Sequence, residues 1–471
     1  MKIKLLQNLS ANTLQLVINQ FFAALTFYIL SLGLDKSTFG RINLALAILL
    51  SVFSVLSFGI DQLTVKKVAQ GDDVPDVINL YVGHVLLSGF IFYGLLLLGY
   101  IMFHGSPNYN LVLWMGFGKL MMFFAMPFKQ VTNGLEKFSL LAKMAIISNT
   151  LRAIGLLVLI LCHALNLTTA VITFVAGDTI EFIFNAILFY RHTSYPVRFK
   201  FNGFAYRALV KEALPQLGVV LITATLGRFD WIFIGFMTSD VKLAEYSFAY
   251  KVFEVSTLPL MAIGPLLVPL FTRHFNNKAD SDPLKLLIRG ELVVAALTAL
   301  LLNMTWEPVV NWLTHGKYGT VNISTVFALS LCMPLLYLNN FLWTIQFAKG
   351  NLKLILNAFI ITLTVNVGAN LVLIPLYGNV GAAIAFLAAT LAQTIFYLFK
   401  NPVTGLKRVY INTMLCTFCA LAAGFAGRMI PLNVVFKTGA GLACYVFLLF
   451  LTGQLRFNDP KQLKAYFRPE I

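Results

Sequence analysis

Eight ionisable side chains interrupt long apolar stretches of the sequence: Lys119, Arg152, Asp178, Glu181, Arg228, Asp230, Lys251 and Glu254. A charge at the centre of a bilayer costs at least about 2.5–3.5 kcal/mol on insertion scales, so such groups face a bundle interior or a water-filled cavity and engage partners there. Asp178 and Glu181 are three apart, as are Lys251 and Glu254, which places each pair on one helix face. Arg228 and Asp230 are two apart and point to different sides of their helix. Two chemistries suit these residues. They can pair across helices and hold a bundle together, with those near helix ends reaching to the interface. Alternatively, the cations meet an anionic ligand and the carboxylates carry a coupling ion. For Lys119, Arg152 and Lys251 both readings stay open. Arg228 and Asp230 lie more than a turn inside their apolar run, and a cavity-lining role is expected for them.

A second pattern is uncharged. Asn8, Asn12, Gln15 and Asn19 fall at intervals of four, three and four, a stripe down one face of the first apolar run. Asn and Gln do bond across membrane helices, but four in line have the hydrogen-bonding capacity of a sugar-binding wall, and a hydrophilic lumen is the expectation. Gln216, Thr223 and Asp230 repeat the stripe more sparsely. Asn366 and Asn370, one turn apart, suit either role.

No catalytic constellation accompanies these groups. The six histidines are scattered, and neither HExxH nor the phosphate-cradling GxxxxGK occurs, so no catalytic residue, no metal and no bound cofactor are expected and an ATP-driven pump is excluded. Cys416 and Cys419 have CxxC spacing without a second pair or a histidine cluster, and core packing is expected for all five cysteines.

The elements that position these residues follow from composition. Of 471 residues, 59% are hydrophobic and 11% charged, against about one quarter charged in soluble domains. This excludes a soluble enzyme. A spanning helix needs about 20 apolar residues, and fourteen such runs are predicted, too long for the alternating strands of a barrel. The first, behind Lys2 and Lys4, carries Asn12, Gln15 and Asn19 and no small-residue cleavage site, so it is expected to be retained. Fourteen alternating passes place 25 of the 35 Lys and Arg in segments on one face and six on the other, with four inside spans. That asymmetry predicts both termini in the cytoplasm, and it turns the net charge of +16 into a topology signal rather than a sign of nucleic-acid binding.

The predicted fold is an all-α polytopic bundle of two six-helix lobes. Residues 1–190 form the first lobe, 191–213 a basic cytoplasmic linker, 214–399 the second lobe, 400–453 two further spans and 454–471 a basic tail. Asp35, Lys36 and Phe39 before the second span echo Asp240, Lys242 and Tyr246 before the eighth. Duplicated halves with a site between them are a transporter architecture. Proline differs between the halves. Pro215, Pro259, Pro265, Pro269, Pro308 and Pro334 lie in or at the ends of spans of the second half, against Pro127 in the first, so the second is expected to bend more.

Two stretches carry a family resemblance. Residues 374–385, IPLYGNVGAAIA, resemble the junction of spans 11 and 12 in the polysaccharide transporter branch of the multidrug/oligosaccharidyl-lipid/polysaccharide exporter superfamily. Residues 227–250, GRFDWIFIGFMTSDVKLAEYSFAY, resemble that family's span 7 and the start of span 8, with Tyr246 to Ala249 as its Tyr-x-x-Ala step. Phe39-Gly40-Arg41 and Gly59-Ile60-Asp61, around span 2, are also similar. The resemblance implies a flippase of the O-antigen or exopolysaccharide (lipopolysaccharide-type) class in the bacterial inner membrane. Such a protein moves undecaprenyl-diphosphate-linked oligosaccharide outward between two alternating lobes. It implies a cationic lumen, with Arg152, Arg228 and Lys251 as the matching residues; Lys119 and the stripe of Asn12, Gln15 and Asn19 join them as lumen candidates from their own placement in apolar runs. It also implies an H+ or Na+ gradient coupled through Asp178, Glu181, Asp230 or Glu254, and possible work beside a polymerase and chain-length proteins. Four buried cations balanced by four carboxylates depart from a strongly basic lumen and favour a weakly charged glycan. The competing readings are a small-molecule exporter, which the polar stripe of span 1 disfavours, and a membrane polymerase or ligase, which would need a large outer loop.

Overall fold

The computed structural model describes residues 2–71, 73–102, 107–193, 195, 202–260, 282–400, 407–431 and 433–459. For 2–17, 107, 108, 215, 219, 221–227, 282–284 and 407 it describes the backbone alone. The described chain is helical almost throughout, because a chain in hydrocarbon must satisfy every backbone group internally. In order the helices are α1 Lys2–Gly33, α2 Lys36–Leu56, α3 Ile60–Gln70, α4 Val74–Met102, α5 Pro107–Gly134, α6 Phe138–Leu161, α7 Leu167–His192, α8 Gly203–Met237 and α9 Asp240–Ser256. They are followed by α10 Asp282–Thr314, a 3-10 turn Thr320–Asn322, α11 Ile323–Ala348, α12 Leu352–Lys400, α13 Lys407–Arg428 and α14 Val434–Leu451.

Ten of the described helices are long and apolar enough to cross a bilayer, rather than the fourteen runs predicted. Part of the difference is a merger. The predicted runs 354–375 and 379–399 form one 49-residue element, α12, whose only non-helical backbone is Gly378 at φ 56°, ψ −129°. A side chain is not tolerated in that region, so glycine alone lets the chain reverse there without a loop. The reversal is tight: a Cβ on Gly381 would lie 2.0 Å from the Leu373 carbonyl oxygen. The first run yields a shorter apolar helix, Ile18–Gly33, and the eighth, predicted over 246–271, passes outside the described residues.

Two units divide the chain, Met1–Ala244 and Glu245–Ile471. In the first, α5 packs on α7, α1 on α6, α2 on α8 and α4 on α5. The loop before α2 is fixed by Asp35, whose carboxylate accepts from the Thr38 N–H at 2.9 Å and caps the helix. The side-chain interaction with Thr38, followed by this backbone bond, holds its carboxyl below the ordinary aspartate range. Gly40 lets α2 meet the start of α9, since a Cβ there would sit 1.9 Å from the Asp240 carbonyl oxygen. In the second unit α11 packs on α10 and α12, and α13 and α14 close over α10 around Ile288, Leu292, Phe341, Tyr397 and Tyr445. Prolines sit inside α5 (Pro127), α10 (Pro308), α11 (Pro334) and α12 (Pro375). Pro265 and Pro269 lie outside the described residues.

Candidate functional site

α7 begins with a reciprocal cap. The Asn166 side chain accepts from the Thr169 N–H at 3.0 Å, and the Thr169 hydroxyl accepts from the Asn166 N–H at 2.9 Å. Helical spacing then sets a buried stripe of Phe174, Gly177, Asp178, Glu181 and Asn185 down one face. Asp178 and Glu181 share that face, as their spacing requires, and cations from two other helices converge on them.

Lys119 of α5 donates to Asp178 Oδ2 at 2.7 Å, and Arg152 of α6 donates to Asp178 Oδ1 at 2.6 Å. The same guanidinium lies 3.7 Å from Glu181 Oε2 and donates to the Ser148 hydroxyl. Lys129 of α5 completes the network by donating to Glu181 Oε1. Phe174 lies beneath two of the cations, its ring centre 5.8 Å from Lys119 Nζ and 5.5 Å from the Arg152 guanidinium carbon. Glycines make room: a Cβ on Gly177 would come within 2.7 Å of Arg152 Cγ, and one on Gly118 within 3.1 Å of Asp178 Oδ2.

Three cations thus face two carboxylates, an excess of one positive charge. Lys119 and Asp178 are sealed, with side chains 3% and 1% exposed, whereas Lys129 and Arg152 keep 18% and 12%. The network therefore opens on its Lys129–Arg152 side. Chemically it can hold α5, α6 and α7 together and present a partly accessible cationic edge to an anion.

The other sequence-predicted residues lie apart from this network. Arg228 of α8 stacks on Trp231, 4.4 Å from the ring centre, and Asp230 accepts from the Trp231 N–H at 2.9 Å. Lys251 and Glu254 form a pair within α9 at 2.8 Å. Asn366 and Asn370 bond one another at 3.1 Å along α12. The side chains of Asn12, Gln15 and Thr223 lie outside the described residues; Asn19 is partly buried. Cys416 and Cys419 are buried free thiols in the core of the second unit.

Three residues of the site were missed from the sequence. Lys129 counts there as a cytoplasmic residue at the end of its run, yet α5 continues to Gly134 and carries it into the network. Asn185, one turn beyond Glu181 and fully buried, continues the polar stripe, and its i+4 spacing is the signal that could have found it. Ser148, one turn before Arg152, looks like any small residue in an apolar helix until its bond to the guanidinium is seen.

Comparison with known proteins places the chain. A family model described as polysaccharide biosynthesis protein matches residues 5–275. No curated protein matches the sequence. Among solved structures, the lipid II flippase MurJ in an inward closed conformation is similar over 96% of this chain and 100% of its own, with TM-score 0.74 at 12% identity. An inward-facing multidrug resistance MATE family transporter of the MOP superfamily covers 86% of this chain and 99% of its own, with TM-score 0.65 at 13% identity. A MOP superfamily transporter from Pyrococcus furiosus, whose binding pocket is described as having reverse polarity, covers 86% and 96%, with TM-score 0.58 at 12% identity. At such identities the likeness is one of fold. The chain is therefore a multi-pass helical membrane protein with the fold of MOP superfamily flippases and transporters, and it belongs to the polysaccharide biosynthesis protein family.

Proposed function

We propose that the protein is a flippase for undecaprenyl-diphosphate-linked oligosaccharide, the repeat unit of an O-antigen or exopolysaccharide, in the bacterial inner membrane. The observation that carries this reading is the excess cation of the α5–α7 network, open at Lys129 and Arg152. A diphosphate leaving water needs positive partners, and Arg152 and Lys129, with side chains 12% and 18% exposed, supply them at the open edge of the network. Arg228 on Trp231 offers a second cationic and aromatic surface, of the kind that suits a sugar diphosphate. The family match and the likeness to a lipid II flippase support a glycolipid over a small drug molecule. In this reading residues 1–190 and 214–399 are lobes that alternate in opening, linked by the basic segment 191–213, with both termini cytoplasmic. Gradient coupling uses H+ or Na+, and the polymerase and chain-length proteins acting on the same glycan are the partners to seek.

Complementation of a flippase-null bacterium tests it, with lipid-linked glycan in each leaflet as the readout. Restored export that Arg228→Ala and Asp230→Asn abolish, with the protein still in the membrane, is the expected result. Export of cationic drugs with no glycan movement under any donor glycan cluster would replace the proposal with small-molecule export.

A further inference from the structure

Glu291 lies in α10, six residues inside the apolar segment that begins at Lys285. It is 4% exposed, and neither of its carboxylate oxygens has a hydrogen-bond or ion-pair partner. Around it α10 buries Ile288, Leu292, Ala295 and Ala296. Every other buried acid among the described residues is engaged. Asp178 and Glu181 have lysines and Arg152, Asp459 has Arg289, Asp230 has the Trp231 N–H, and Glu245 has a partner of its own.

Burying an ionised carboxylate without a partner is strongly unfavourable, while the neutral acid is tolerated far better. Glu291 therefore carries a proton in this conformation. The groups that the packed helices bring to this part of α10 do not offer a replacement charge. Tyr337 of α11 lies close enough to interact with it electrostatically. Tyr410, Cys416 and Cys419 of α13 and Tyr445 of α14 line the neighbouring core, and the Tyr445 hydroxyl is committed to the Val293 carbonyl. Arg289, on the same helix, is held by Asp459.

We propose that Glu291 is the proton-carrying carboxylate that couples transport to a proton gradient. This rests on the transport function proposed above. The step is an acid–base one: the carboxylate gains an O–H bond from water on the proton-rich side and loses it to water on the other, when α10 is exposed there. The carboxylates of the α5–α7 network are poorly suited to this, because protonating Asp178 or Glu181 would strip a buried cation of its partner. Glu291 changes charge without breaking any bond seen here, and that freedom is what a coupling group requires.

The test uses the full-length protein in liposomes with a pH gradient and an internal pH dye. With one proton per substrate, the wild type accumulates lipid-linked glycan about tenfold per unit of pH gradient and carries protons as it does so. Glu291→Gln, present at wild-type level in the membrane, is expected to lose both accumulation and proton flux, and Glu291→Asp to retain both with a shifted pH profile. Wild-type proton flux in Glu291→Gln would overturn the assignment. A second measurement does not depend on transport. Dicyclohexylcarbodiimide, which attacks protonated carboxyls in apolar surroundings, should modify Glu291 at neutral pH and progressively less as pH rises. If the wild type moves no glycan but Glu291 is modified in this way, the glycan reading fails and the proton site stands; if Glu291 resists the reagent at every pH, the proton site fails.

Discussion

The two units of the chain solve the problem of buried polarity in opposite ways. In the first, charge is neutralised by charge: Lys119, Lys129 and Arg152 from two helices close on Asp178 and Glu181 of a third. In the second, the ion pair of Arg289 with Asp459 ties α10 to the segment after α14, but α11 and α12 are joined by uncharged bonds. Asn339 of α11 donates to the Thr390 carbonyl at 3.0 Å and accepts from the Thr394 hydroxyl at 2.8 Å, both on α12. One buried carboxylate there, Glu291, has no hydrogen-bond partner among the described residues. An ion-pair network fixes helices relative to one another because any sliding exposes an unpaired charge. Uncharged bonds and a neutral acid impose a smaller penalty on rearrangement. Helices locked by charge and an acid free of any charged partner thus lie in separate parts of the chain.

Removing the centre of the network has the most severe consequence. Asp178→Ala leaves Lys119 and Arg152 facing each other without their shared carboxylate, and a loss of about 3–5 kcal/mol is expected. It would be read as early aggregation when the detergent-solubilised protein is heated and followed by size exclusion. Replacing the pair together, Lys119→Met with Asp178→Leu, should cost less than Asp178→Ala alone, because no charge is then stranded. If the single and double changes cost the same, the network is not the rigid element described. Next in size, Gly378→Ala forces a side chain into a backbone region closed to it, and about 1–3 kcal/mol should be lost in the same assay. Asp35→Ala removes a helix cap and should cost about 1 kcal/mol. Its pH dependence has a definite sign. The folded carboxyl titrates below the ordinary aspartate value of 3.8, so the cap's contribution is fully present above that value and is lost as pH falls through the lower folded value. The smallest effect is expected at Glu291→Gln, which replaces a neutral acid by a neutral amide of similar shape. Its thermal midpoint should match the wild type, and a large loss of stability would mean that Glu291 is ionised and held by the fold.

Much of the architecture was legible in the sequence because hydrophobicity in a bilayer is a local property. A run of about 20 apolar residues announces itself whatever it packs against. Asp178 and Glu181 were legible for the same reason, since spacing along one helix fixes their common face. Their partners were not. Which cation reaches which carboxylate depends on how α5, α6 and α7 pack, and Lys129 looked like one more basic residue at a helix end. Glu291 was missed because a single acid at the edge of an apolar run resembles an interfacial residue; only the packing of α11, α13 and α14 around α10 buries it. The junction at 374–385 shows the converse case. Its sequence marks a break between two spans, and the structure explains why those residues are needed: Gly378 supplies the reversal and Gly381 the close approach to Leu373.

That reversal also bears on how the two arms of α12 can move. With Gly378 as the single non-helical residue between them, no loop is there to absorb a change of angle, so a shift of one arm is passed directly to the other.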